Sequence, residues 1–358
     1  MQIEDIFVYI RDITRQEKFA LISKDSIFLY ELLKQHKCLY LVKLWSTLQE
    51  NNGFYGELAS NYIKSKEEIN FCKEIFNALN KLCISYAVFK GFVFSYSAYG
   101  SVAFRNSKDI DIVINPKDLT AVDNLLIDLG FRQGCFIEDE FVPANRAKEI
   151  FYLKFAHQTL PYVKKVSGKV VKYLMIDINF DLLWGEHMSK LDMDNVLKNV
   201  IPYELYGVEF FKLNTIYEFI AMCLHHYKDL NSIVQIYKNK YVLSVFCDIY
   251  FYLINNSFEP NELVAEASNL GVSDYVFFCI ALAYEVFEDE RLKPYITVLY
   301  SSEAESLLNR CGLTQDEYKT WKLTLVERLF LSTKKESFLE MLTQKDMDKI
   351  KFNLEMQN

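Results

Sequence analysis

Two aspartates separated by one residue, Asp109-Ile110-Asp111, are the sharpest chemical feature of this 358-residue chain. Within "DIDIVIN" they share one side of an extended segment, because residues i and i+2 of a strand project to the same face. Carboxylates held that close repel unless a cation neutralises them. Hard oxygen ligands, few in number, are what Mg²⁺ takes while keeping room for substrate phosphates. Ile110, Ile112 and Ile114 alternate with Asp111, Val113 and Asn115 and point the other way, toward a core. An isolated Asp-x-Asp recurs by chance among 48 acidic residues, so its weight comes from its surroundings.

Three features surround it. Lys90-Gly91 follows the strand-like "YAVF"; glycine lets backbone approach a phosphate, and a helix starting there offers its first amides to an anion. The alternative is an ordinary strand-to-helix turn with a solvent-facing lysine. Arg105, four residues before Asp109, suits bidentate phosphate contact, or else is an ordinary surface residue or a salt-bridge partner of the aspartates. Lys108 adds a further cation beside them. Asp177 lies in the apolar "YLMIDINFDLLW", where an unpaired charge is costly; it wants a metal, a cation or a hydrogen-bond network, unless the strand is a solvated edge. Asn179 and Asp181 share its parity. Because paired carboxylates repel in an empty site, neutralising Asp111 is expected to spare or raise metal-free stability.

The elements that must position these groups are short. "YAVF", "DIDIVIN", "EIFYLKFAH" and "KVVKYLMIDINFDLLW" read as strands, the last two joined by a turn at "VSGK" into an antiparallel pair. "YELYGVEFFKL" reads as a hairpin around Gly207. "GFVFSYSAYG" is a short helix closed by Gly100, and "KDLTAVDNLLIDLGF" an amphipathic helix ending at Gly130. Before this block, "SIFLYELLKQHKCLYLVKLWSTLQE" and "ELASNYIKSKEEINFCKEIFNALNKL" have helical spacing, with a break at Asn51-Asn52-Gly53. After it, Asn214 caps a return to helix. The expected organisation is an N-terminal helical region, 1–82, an α+β core, 83–212, and a C-terminal helical domain, 213–358. The core should hold a mixed sheet of about five strands flanked by helices.

Composition narrows the partners. The net charge is −8, and a protein that grips a nucleic-acid backbone usually shows a basic face and a high pI. No nucleic-acid polymer is expected, although a few placed cations suffice for one triphosphate. The eight cysteines form no Cys-x-x-Cys pair and read as reduced, buried thiols rather than zinc ligands. The first residues lack the apolar core of a secretory leader, and no stretch approaches the roughly 20 apolar residues of a membrane span. A cytoplasmic protein without membrane attachment is the expectation.

Taken in order, "FKGFVFSYSAYG", "RNSKDIDIVINPKDL", "LGF", "IDINFDLLW" and "LNTIYEFIAMCLHHYKDL" resemble an uncharacterised bacterial nucleotidyltransferase family of the polymerase-β-like superfamily. The resemblance spans about 83–230. Lys90-Gly91 stands where the superfamily at large has Gly-Ser, although Lys-Gly is usual for this family, and the resemblance departs at Asn179, where the family often has His. It implies a nucleotidyltransferase-like fold that binds a nucleoside triphosphate, with ATP expected, and two Mg²⁺ ions. Asp109, Asp111 and Asp177 would be the catalytic and metal-ligating carboxylates, with Lys90, Gly91, Arg105 and Lys108 on the phosphates. A nucleoside monophosphate would pass to a hydroxyl or phosphate acceptor on a small molecule, peptide or protein, releasing pyrophosphate. One of His225 and His226 would face the site, against a plain core or surface role. His157 is a weaker candidate, and His187 and His36 have no context. Two other readings stand beside the enzyme: a non-catalytic nucleotide-binding or regulatory module on the same fold, and a helical interaction protein in which "DIDIVIN" is a solvated edge strand.

Overall fold

The period-2 segments fold as their alternation requires. Tyr86–Phe89 is strand β1 and Ile110–Ile114 is strand β2, paired antiparallel with Phe89 opposite Asp111. Tyr86, Val88, Ile110, Ile112 and Ile114 enter one apolar core, and Asp111 projects from the other face. The computed structural model describes residues 5–15, 23–48, 55–138 and 140–357. They fall into two compact units, Ala59–Met222, and Met1–Leu58 together with Cys223–Asn358.

The first unit is built on a mixed sheet. Its further strands are β3 (Arg132–Ile137), β4 (Glu140–Pro143), β5 (Tyr162–Lys165), β6 (Tyr173–Asn179), β7 (Val200–Leu205) and β8 (Val208–Leu213). Their spatial order is β4-β3-β5-β6-β2-β1-β8-β7. β2 runs parallel to β6 and β1 parallel to β8; the other pairs are antiparallel. Helices α1 (Tyr55–Lys81), α2 (Gly91–Tyr99), α3 (Leu119–Asp128) and α4 (Arg146–Phe155) accompany the sheet. Ile69, Phe76 and Leu79 of α1 and Val122 and Leu126 of α3 pack on the core face of β1, β2 and β6.

Several details differ from the sequence reading. The sheet has eight strands, because the hairpin β3–β4 and the separate β5 gave no clear alternation. "EIFYLKFAH" is not a strand: Glu149–Phe155 of it lie in α4, capped by Asn145, whose side chain accepts the Lys148 amide at 2.9 Å. That cap outweighs the β-leaning Ile, Phe and Tyr that follow it. β6 does form an antiparallel pair across "VSGK", but with β5. The hairpin at Gly207 is present as β7–β8.

The second unit is mainly helical. Its N-terminal stretch forms the helices Ser23–Gln35 and Leu39–Leu48, separated at Lys37, where φ is +57°; Asn51-Asn52-Gly53 lies outside the described residues. The helix Thr215–Asn231 begins in the first unit, where Asn214 caps it, its Oδ1 accepting the Tyr217 amide at 3.0 Å, and its residues from Cys223 on belong to the second. The C-terminal stretch also carries a small sheet, Arg310–Cys311 with Lys319–Thr320. The two stretches are tied together: Arg11 Nε donates to the Val286 carbonyl at 2.9 Å, and the Leu243 amide donates to His36 Nδ1 at 3.1 Å. Among the described residues, no helix is long and apolar enough to cross a membrane.

Candidate active site

The parallel register of β2 and β6 sets Asp111 directly opposite Asp177, and Val113 opposite Asn179. Cross-strand partners project to the same face, so Asp111, Asp177 and Asn179 gather on the side of the sheet away from the isoleucines. Asp111 and Asp177 are 7% and 6% exposed. β6 is an interior strand, which excludes the solvated-edge reading of both segments.

Lys90 completes this face. It follows β1 with φ 60° and ψ −156°, a backbone region populated almost only by glycine. Its ammonium lies 2.7 Å from Asp111 Oδ1 and 3.5 Å from Asn179 Oδ1. The solvent-facing alternative for Lys90 is therefore wrong: its ammonium is an ion-pair partner of Asp111. Asn179 Nδ2 also donates to Asp111 Oδ1, at 3.0 Å. Asp177 is held differently. Gln158 Nε2 donates to its Oδ2 at 3.2 Å, while Oδ1 is buried with no hydrogen-bond partner.

Asp109 sits just before β2. Ser107 Oγ donates to its carbonyl at 2.8 Å and its Oδ1 at 3.0 Å. Gly91 opens α2 beside it with φ +42°, and a Cβ there would stand 3.3 Å from Ser107 Cβ and Oγ. From α1, Lys64 bonds Asn106 Oδ1 at 2.7 Å and the Ser107 carbonyl, and it pairs with Glu68 at 3.5 Å. The loop into Asp109 is thus fastened from below. Arg105 lies on that loop with its guanidinium 5.8 Å over the Phe94 ring, and Lys108 stands exposed beside it.

The electrostatics follow from crowding. Burial, then Asp111, then Asp109, push the Asp177 carboxyl well above its ordinary value. Burial and Asp111 raise Asp109 as well. Burial alone would lower the Lys90 ammonium, but Asp111, Asp177 and Asp109 together hold it above the usual lysine range. Glu68 is pushed up to about 7 by burial, with Asp109 adding and Lys64 opposing. Among the described residues, no three His, Cys, Asp or Glu side chains are already arranged as a metal cage. The donors nevertheless suit a hard cation: three neighbouring carboxylates, one with an orphaned buried oxygen.

Gln158, Lys64 and Glu68 were missed as site neighbours; Asn179 was marked by its parity with Asp177. The histidines have their own partners. His157, at φ 52°, lies 3.2 Å from the Leu183 carbonyl and 3.7 Å from Asp181, which accepts the Leu183 amide at 2.9 Å; the pair pins the segment after β6. His225 and His226 belong to the helical unit. There His226 is buried 3.0 Å from Asp248, and His225 pairs with Asp229 at 3.7 Å. His187 contacts the Ser189 backbone.

No curated protein matches the chain. A solved structure, described as an antigenic nucleotidyltransferase-like protein from Paracoccidioides brasiliensis, is similar at 15% identity with a TM-score of 0.39, covering 65% of this chain and 94% of that one. The family described as uncharacterised nucleotidyltransferase matches residues 54–288, which include every strand of the large sheet and all the groups above. The chain belongs to this family of uncharacterised nucleotidyltransferases.

Proposed function

We propose that the protein transfers a nucleoside monophosphate from a nucleoside triphosphate, ATP being the expected one, to a hydroxyl or phosphate acceptor and releases pyrophosphate. The observation that carries this reading is the register that sets Asp111 beside Asp177, with Asp109 at the head of the same strand and the α2 N-terminus next to it. Asp109, Asp111 and Asp177 would hold Mg²⁺, which when bound supplies positive charge to the reacting phosphate. Gly91 and the first amides of α2 bind phosphate oxygens. Arg105 and Lys108 hold the departing pyrophosphate, where negative charge builds. Asp177 accepts the acceptor hydroxyl's proton. Its burial favours the protonated product of that step, and Gln158 fixes the carboxylate's orientation. A small molecule, a peptide or a protein suits the acceptor role better than a polyanion, given the net charge of −8.

The test is to incubate the protein with each of the four triphosphates and Mg²⁺, following melting temperature and pyrophosphate release with candidate acceptors. Stabilisation by at least one triphosphate, and release that disappears in Asp177→Ala, is the expected result. Binding without release from any acceptor would favour the non-catalytic module. No stabilisation by any triphosphate would remove both readings.

A further inference from the structure

Two divalent ions about 3.5–4 Å apart carry four positive charges between them and need a shared anionic ligand. A bridging carboxylate gives one oxygen to each ion. In this fold Asp111 is the residue placed to bridge, since it lies two residues from Asp109 and directly across from Asp177. Its Oδ1 is already engaged twice, by the Lys90 ammonium at 2.7 Å and by Asn179 Nδ2 at 3.0 Å. Both are donors, and together they occupy the two lone-pair directions of that oxygen, so a metal ion reaching it must displace one of them. The Asn179 assignment is supported by its own Oδ1, which faces Lys90 Nζ at 3.5 Å.

Lys90 is held in place by more than one contact. Its side chain is 14% exposed, and its ammonium also lies 4.5 Å from the centroid of the Phe89 ring. Its backbone occupies a region that strains a residue with a Cβ and costs glycine almost nothing. The Lys90 side chain places a positive charge among three carboxylates. Asp111 Oδ2 and the orphaned Asp177 Oδ1, with Asp109 beside them, remain to receive a hard ion. Those oxygens are enough for one ion whose other ligands are water and phosphate.

We propose that this site takes one divalent cation per chain, and that the Lys90 ammonium permanently fills the place of a second. The inference rests on the nucleotidyltransferase reading above and concerns only how many ions that site admits.

The experiment counts bound Mn²⁺ from the electron paramagnetic resonance of the free ion. The protein is saturated with α,β-methylene-ATP, an analogue that cannot be cleaved at the α-phosphate. Wild type is expected to bind one Mn²⁺ per chain, with no exchange-coupled pair in the spectrum. Lys90→Gly relaxes the backbone and vacates Asp111 Oδ1, so the count should rise to two, with a coupled pair. Two coupled ions in wild type would overturn the proposal and leave the transferase reading standing, as would a Lys90→Gly protein that still binds only one. Failure of wild type to bind either the analogue or Mn²⁺ would overturn both. If Lys90→Gly does not fold, the wild-type count decides alone.

Discussion

At the residue scale, Asp111 and Asp177 are chemically identical and similarly buried, yet neutralising them should have opposite effects. Asp111 is the partner of a buried ammonium, so Asp111→Asn strands Lys90 and should cost about 3–5 kcal/mol in metal-free protein. This reverses the expectation drawn from charge repulsion alone, because the sequence does not reveal that Lys90 turns inward. Asp177 has an orphaned oxygen and two carboxylate neighbours, so Asp177→Asn should melt at or above wild type in EDTA at pH 7.5. Its folded proton affinity is raised, so its charge costs stability as pH climbs from the unfolded carboxylate value of about 3.9. The advantage of Asp177→Asn should therefore vanish near pH 4. An Asp111→Asn protein as stable as wild type would show that the ion pair with Lys90 does not support the fold. Glu68 offers a separate pH test, with a folded value of about 7. The cost of its charge grows between about 4.3 and 7 and is complete above. In urea titrations Glu68→Gln should gain up to about 3 kcal/mol at pH 8 and almost nothing at pH 4.5. Equal gains at both would assign the effect to packing. The three aspartates were legible because a period-2 pattern and an acid in an apolar run are local signals. Gln158, Lys64 and Glu68 reach the site from other elements, and no spacing rule connects them to it.

At the element scale, the link between β1 and α2 governs the site. Gly91→Ala would force a Cβ into a positive-φ position, 3.3 Å from Ser107, the residue that orients Asp109. The strain should destabilise the protein by about 1–3 kcal/mol. Stabilisation by Mg²⁺ and triphosphate should fall as well, which calorimetric scans with and without ligand would separate. A variant that melts lower but keeps its full ligand-induced shift would clear Gly91 of any part in binding. The sequence marked both ends of α2, Lys90-Gly91 at its start and Gly100 at its close, where φ is +70° and the amide donates to the Tyr96 carbonyl, as the "GFVFSYSAYG" pattern suggested. It was misleading at α4, where Phe151 is the one fully buried residue of the helix and the exposed Ile150 and Leu153 blur the period. It was silent at β3, whose residues are all exposed or half-buried and so alternate weakly. Elements that bury a full face were readable, and those that bury little were not.

At the scale of the whole molecule, the helical unit is assembled from both ends of the chain. Arg11 is one of its fasteners, donating to the Val286 and Glu285 carbonyls at 2.9 and 2.8 Å and pairing with Glu288 at 3.0 Å. Arg11→Ala should raise amide hydrogen exchange across Ile6–Arg15 and Ser273–Phe287 while leaving β1, β2 and β6 protected. Uniformly faster exchange would mean that the chain opens only as a whole. The discontinuity also dictates an order of events during synthesis. Residues 59–222 leave the ribosome before their flanking unit can be completed, and the helices before them must wait for partners made last. Joining the two ends across an unfolded insert would cost about 4–5 kcal/mol of loop entropy, and a folded insert shortens that loop. The unit bearing the aspartates should therefore acquire its structure first on the nascent chain, so a truncation near its end would stall the protein with its N-terminal helices exposed to proteases and chaperones.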